Sequence, residues 1–206
     1  MNHYAGPSPF LKPLSRLWAT CAFAALVLAG CVTKAPLPHF YTLDMTPSGR
    51  AVRAAECGVD TVSVRAADAL NRPELLVKKS PIEIEYYAIE RWAGALDELV
   101  QQKLDAEFAG TRDPFIDDQA LVSVEVEVLA FEQEDTASGA RASAQLRVKM
   151  RHGAQSAGPI MYAAQRDVAP NPSAVAAGLS RALEDIAEAI AQDANRLAAN
   201  STVPSR

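Results

Sequence analysis

Val122-Ser123-Val124-Glu125-Val126-Glu127-Val128 decides how this chain folds. Valine alternates with polar residues without a break, so one side of a strand is apolar and the other is wet. A second alternating run follows, with Ala144, Leu146, Val148 and Met150 on one side and Gln145, Arg147 and Lys149 on the other. The stretch between them, Glu134 to Gly139, is polar and ends in glycine, as a hairpin loop does. A register with Val126 opposite Leu146 sets aliphatics against aliphatics and Glu125 against Arg147, and a slip of one residue destroys both matches. These runs predict an antiparallel hairpin, with a third strand at Pro159 to Gln165 that turns Ile160 and Tyr162 inward.

Other strands are shorter. Phe40 to Leu43 reads as a first strand, and Pro47 to Gly49 as a turn. Val59 to Arg65 reads as a strand with Val62 and Val64 on one face, and Leu75 to Lys78 as another. Ile82, Ile84 and Tyr86 alternate with Glu83, Glu85 and Tyr87, which predicts a half-buried strand with an acidic wet side. A helix is expected from near Arg91 to Gly110, because Leu96, Leu99, Val100, Leu104 and Phe108 recur at spacings of three and four. Gly110 supplies its stop.

Asn171-Pro172-Ser173 opens a last helix, the polar side chain capping free N–H groups and the proline fitting the first turn. Val175, Leu179, Leu183, Ile186, Ile190 and Leu197 trace its apolar stripe to about Ala199. Such a stripe lies on a sheet; a coiled-coil partner is the alternative. The expected fold is α+β: one domain over 40–199, a mostly antiparallel sheet packed against two long amphipathic helices. Residues 200–206 read as a flexible tail.

Ahead of the domain stands Leu26-Val27-Leu28-Ala29-Gly30-Cys31, an aliphatic residue and then small residues before a cysteine. Lys12 and Arg16 precede an apolar run from Leu17 to Leu28, well short of the roughly 20 residues that cross a bilayer as a helix. Residues 1–30 therefore read as a secretory signal peptide of the lipoprotein type. In such signals the Cys31 thiol takes a diacylglycerol, the peptide is cut before it, and the new amino terminus is acylated. Each buried methylene contributes about 0.8 kcal/mol, so several acyl chains hold a protein to a membrane. Residues 31–39, with Pro36 and Pro38, read as a lipidated tether. The alternative is an ordinary signal peptide with a chance cysteine at the cut. Val32 after the cysteine fits outer-membrane delivery, since inner-membrane retention favours Asp there.

Losing Lys12 and Arg16 and no acidic residue takes the formal charge from −5 to −7. That balance argues against nucleic acid as a partner and leaves the acyl chains to supply most of the membrane affinity. Cys21 leaves with the signal and Cys31 is lipidated, so Cys57 has no intrachain partner. It reads as a small buried hydrophobe, with an intermolecular bridge or reactive thiol as alternatives.

Catalytic chemistry is thin. His39 and His152 stand apart and give neither a metal site nor a triad. Glycines form no phosphate-cradling loop. Asp113, Asp117 and Asp118 crowd Pro114 without the alternate spacing of a calcium loop, and Glu132, Glu134 and Asp135 read as a wet hairpin tip. The expectation is no enzyme, no cofactor and no metal.

Three segments carry a resemblance. Phe40-Tyr41-Thr42-Leu43 resembles an early Tyr-x-Leu, Leu70-Asn71-Arg72-Pro73-Glu74-Leu75-Leu76-Val77 a Leu-x-Arg-Pro-x-aliphatic run, and Glu90-Arg91-Trp92-Ala93-Gly94-Ala95-Leu96 a Glu-x-Arg-Trp-Ala-x-x-Leu run at a helix start. Phe131-Glu132 is a weaker echo. Together they resemble the ABC-type transport auxiliary lipoprotein family, which includes paraquat-inducible protein C. The chain departs at Gly94, where an acid is common, and by one residue fewer between its acid and Arg91. The resemblance implies a periplasm-facing outer-membrane lipoprotein that assists a transport system with an ABC ATPase and a lipid-binding MCE component, and a domain that can assemble as a homo-oligomer. The matched residues Arg72, Pro73, Glu90, Arg91 and Trp92 also have structural readings: Trp92 packs helix on sheet, Glu90 and Arg91 form an ion pair, and Pro73 stiffens a turn. Tyr41, beside the tether, is the candidate partner contact, since aromatics are enriched at binding hot spots. The alternative function is a periplasmic carrier that holds lipid in a cavity between the sheet and the Ala-rich last helix.

Overall fold

The computed structural model describes residues 36–111 and 121–201. Seven strands form one sheet: β1 (His39–Tyr41), β2 (Val59–Ala66), β3 (Glu74–Ser80), β4 (Glu83–Trp92), β5 (Val122–Thr136), β6 (Gly139–His152) and β7 (Gln155–Val168). Three α-helices accompany them among the described residues: α1 (Arg50–Ala54), α2 (Leu96–Phe108) and α3 (Pro172–Ser201). The order across the sheet is β1-β4-β3-β5-β6-β7, and β2 pairs beside β5. The β3–β4, β5–β6 and β6–β7 pairs are antiparallel, while β1, β2 and β3 each meet a neighbour in parallel. This is the expected α+β class.

The valine strand behaves as its alternation requires. Val122, Val124, Val126 and Val128 are buried, as are Ala144, Leu146, Val148 and Met150 on β6. The register differs from the expected one by two residues: Val126 faces Val148, Val128 faces Leu146, and Arg147 pairs with Glu127. A tight Ala137-Ser138 turn replaces the longer loop, because Thr136 and Gly139 are already paired. A shift of two keeps every side chain on its face, so the burial pattern holds although the partners change. A bulge between Val128 and Ala130 returns Phe131 to the helix side, where it is buried opposite Ala144.

Bulges also explain another difference. In β2 the pairing shifts between Thr61 and Ser63. Thr61 and Val64 therefore point inward and Val62 is exposed, against the expectation of Val62 and Val64 on one face. The β3–β4 hairpin departs further, since Ile82 is 98% exposed and Ile84 49% exposed. α2 packs on β2, and α3 on β5, β6 and β7, so neither long helix covers this hairpin end among the described residues. β7 begins earlier than expected; its Tyr162 is buried and Ile160 only half-buried against the core.

α3 starts where its cap places it, with Asn171 Oδ1 accepting the Ala174 N–H at 2.9 Å. It continues to Ser201, past Ala199 and into the stretch expected as tail. Its whole stripe, Val175 to Leu197, is buried. Gly178 is the point of closest approach: a Cβ there would lie 2.7 Å from Ala142 Cβ and 2.7 Å from Val168 Cγ1. Small residues on both surfaces thus let helix and sheet meet directly.

Candidate docking site

The three resembling segments meet at one corner of the sheet. β1 runs parallel to the end of β4, pairing Phe40 with Arg91 and Tyr41 with Trp92. The Ala93 N–H donates to the Tyr41 carbonyl at 2.8 Å, and the Trp92 N–H donates to the Pro73 carbonyl at 2.7 Å. These two bonds tie Trp92 and Ala93 into the sheet, which corrects the expectation that Trp92 begins a helix. α2 starts only at Leu96, where Asp97 and Glu98 favour the positive end of the helix dipole. Trp92 nevertheless packs as expected for its size. It is buried, with its ring 5.7 Å from that of Phe131, the fourth echo of the resemblance.

Around this core the charged motif residues form a surface cluster. Glu74 receives Arg72 Nε at 3.3 Å and Arg91 at 3.6 Å. The Arg72 guanidinium also lies 4.3 Å from the centre of the Tyr86 ring, a cation–π contact. Bonding to its own N–H, and then to Arg72 and Arg91, holds the Glu74 carboxyl below the usual carboxylate range. Arg91 therefore pairs with Glu74 rather than with Glu90, because neighbours on a strand point to opposite sides. Glu90 instead approaches His39 at 3.8 Å. Arg91 Nε is buried and makes no hydrogen bond. Arg72, Pro73, Trp92, Gly94, Leu96 and Asp97 line a cleft of about 280 Å³ between the two motif turns.

A buried ion pair was not foreseen. Lys103 and Glu107 are fully buried between α2 and α3. Lys103 Nζ donates to Glu107 Oε1 at 2.7 Å, to the Thr46 carbonyl at 3.0 Å and to Glu184 at 3.4 Å. Ser48 donates its N–H at 3.0 Å and its hydroxyl at 2.6 Å to the Glu107 carboxylate. Burial pushes that carboxyl up, but the bonds from Lys103 and Ser48 outweigh it and hold it below the usual range. The spacing carried a signal: Lys103 follows Leu99 by four and precedes Glu107 by four, within the apolar stripe.

Among the described residues no group of three His, Cys, Asp or Glu side chains could hold a metal. His39, expected in the tether, opens β1 instead, while His152 ends β6, so the two histidines lie on different strands. Cys57 is half-buried and its thiol donates to Asn195 Oδ1 at 3.5 Å, while burial raises its pKa. A thiol in that state is a poor nucleophile. Cys31 and the acids Asp113, Asp117 and Asp118 lie outside the described residues.

The described residues thus form a mixed sheet with helices packed against it and a polar corner at which three segments of the chain meet. The chain belongs to the family described as the ABC-type transport auxiliary lipoprotein component, whose model matches residues 41–191. Its fold is shared by protein XCC0632 from Xanthomonas campestris, of family DUF330, at 17% identity and a TM-score of 0.63, covering 81% of this chain and 100% of that one. A structure of an uncharacterised protein is 14% identical, with a TM-score of 0.48 over 81% of this chain and 100% of its own. No curated protein matches. The family makes the chain an auxiliary lipoprotein of ABC-type transport and suggests a membrane-anchored periplasmic protein. No helix among the described residues is long and apolar enough to cross a membrane.

Proposed function

We propose that the protein is a non-catalytic docking component, anchored to the periplasmic face of the outer membrane through acyl chains on Cys31, in an ABC/MCE-type system that moves lipid or another hydrophobic compound. The observation that carries this reading is the convergence of Tyr41, Arg72, Pro73, Glu90, Arg91 and Trp92 at one corner of the sheet. Core packing alone asks for Trp92 there. It does not ask for two arginines sharing Glu74 at the surface, where ion pairs contribute only about 0–1 kcal/mol. A partner-facing corner accounts for them, with Tyr41 as an aromatic contact next to the tether.

The carrier alternative needs room beneath α3. Gly178 lies against Ala142 and Val168 at that interface, and clefts of about 150, 280, 40 and 210 Å³ are lined by no residue of α3. Small-molecule sites usually span about 300–1,000 Å³. The packing favours docking over carriage. Affinity isolation of the full-length protein from gently solubilised membranes tests this. An MCE-type protein should be recovered with it, and should be lost with Arg91→Glu or Tyr41→Asp. Recovery of none, under conditions that keep the transport complex whole, counts against the proposal.

A further inference from the structure

Only Glu90–Trp92, the last residues of β4, pair with β1. The Ile89 N–H just before them donates to Glu90 Oε2 at 3.3 Å. Glu83–Ala88 is therefore a sheet edge with no strand beside it among the described residues. Proteins usually blunt such edges with lysine, proline or a bulge. β7, the opposite edge, has Pro159 within it and an irregular pairing with β6 at Val148–Met150. The β4 edge carries no proline or lysine; its pairing with β3 also shifts, between Glu74 and Leu76 and between Lys78 and Ser80, but it offers Ile84, with Ile82 standing in solvent at the adjoining turn.

Charge narrows what can cover it. Glu83 and Glu85 alternate with the isoleucines and are exposed. The nearby lysines are occupied: Lys78 by Glu132 at 3.6 Å and Glu134 at 3.4 Å, and Lys79 by Asp135 at 2.9 Å and Glu85 at 3.8 Å. Four carboxylates thus surround two ammonium groups, Glu83 is exposed on the same strand, and the apolar tip lies beside an acidic surface. An anionic lipid surface is repelled by it. A protein strand suits this edge, because its main chain can bond the open N–H and C=O groups while its side chains read both faces.

We propose that an extended segment of a protein partner, alternating Lys or Arg with aliphatic residues, adds as a strand to the Glu83–Ala88 edge of β4. Its cations face Glu83 and Glu85, and its aliphatic side chains cover Ile84 and Ile82. This inference rests on the docking reading and names a surface for it distinct from the Arg91 corner. The test replaces Ile84 with a photoreactive benzophenone amino acid in the full-length protein, in cells carrying the whole transport system. Irradiation should give an adduct with a transport subunit, mapped by mass spectrometry to an alternating basic and aliphatic segment. Glu83→Lys/Glu85→Lys should cut that yield about tenfold, the change that 1.4 kcal/mol represents, and leave the melting temperature unaltered. No adduct, while transport subunits still co-isolate, overturns the edge and spares the docking reading. An adduct only with lipid, with a second copy or within the same chain also overturns it. Failure of the unaltered protein to co-isolate any transport subunit overturns both.

Discussion

Replacing Lys103 by methionine removes one charge from the centre of the protein and strands another. Lys103 and Glu107 are both fully buried and 2.7 Å apart. With the ammonium gone, the Glu107 carboxylate keeps only Ser48 as a donor. Breaking a buried pair in this way costs roughly 3–5 kcal/mol, a large part of the roughly 5–15 kcal/mol that holds a domain folded. Lys103→Met/Glu107→Gln removes the stranded charge and leaves an acceptor for Ser48, so it should be more stable than the single variant by more than about 1 kcal/mol. Acid should act in the same direction. In the unaltered protein the Glu107 pKa is depressed, so its contribution is complete above the unfolded value of about 4.3 and is lost as pH falls from there through the lower folded value. In Lys103→Met only the Ser48 bonds still oppose burial, so the Glu107 pKa should rise, protonation should relieve the penalty, and the gap between the two proteins should narrow at low pH. Urea unfolding followed by circular dichroism at pH 7 and pH 4 measures both effects. A cost under about 1 kcal/mol, the range of exposed pairs, or one identical at the two pH values, refutes the reasoning.

Other substitutions separate packing from docking. Gly178→Ala should lower the melting temperature even though alanine favours helix by about 1 kcal/mol, because its Cβ meets Ala142 and Val168 at 2.7 Å; a rise would show that the interface yields. Trp92→Ala should cost about 3–5 kcal/mol by chemical denaturation, since the ring is buried against Phe131. Glu74→Gln should change stability by less than about 1 kcal/mol yet weaken recovery of the transport complex; equal recovery would make the cluster merely structural. Tyr162→Phe should cost about 1 kcal/mol, because the buried hydroxyl donates to Asp193 at 2.6 Å, and thermal melts read that loss.

Period-2 and period-3.6 patterns carried most of the fold. The alternation from Val122 to Val128 gave both the strand and its buried face, the Val175-to-Leu197 stripe gave the long helix, and Asn171 gave its cap. Patterns do not count residues in turns, so the register of β5 on β6 missed by two. Nor do they reveal bulges, and one bulge put Thr61 in place of Val62 beside Val64 in the core. Burial also depends on what lies above a strand. Ile82 and Ile84 look like core residues until the helices are seen to pack elsewhere. The motif residues were legible one segment at a time, but their meeting was not: Tyr41, Pro73 and Trp92 are joined by main-chain bonds between segments distant in sequence. Lys103 and Glu107 fall within the α2 stripe, but their burial was not legible, because it takes the approach of α3 to remove them from water.

A protein that docks a transport system at the membrane must be held there, and intact-mass analysis of the mature chain extracted from cell membranes tests that most directly. The account predicts a product beginning at Cys31, its sulfur carrying a diacylglycerol and its amino group an acyl chain, with Cys31→Ala released from the membrane fraction. An unmodified Cys31 on a protein that fractionates freely outside the cytoplasm would contradict it.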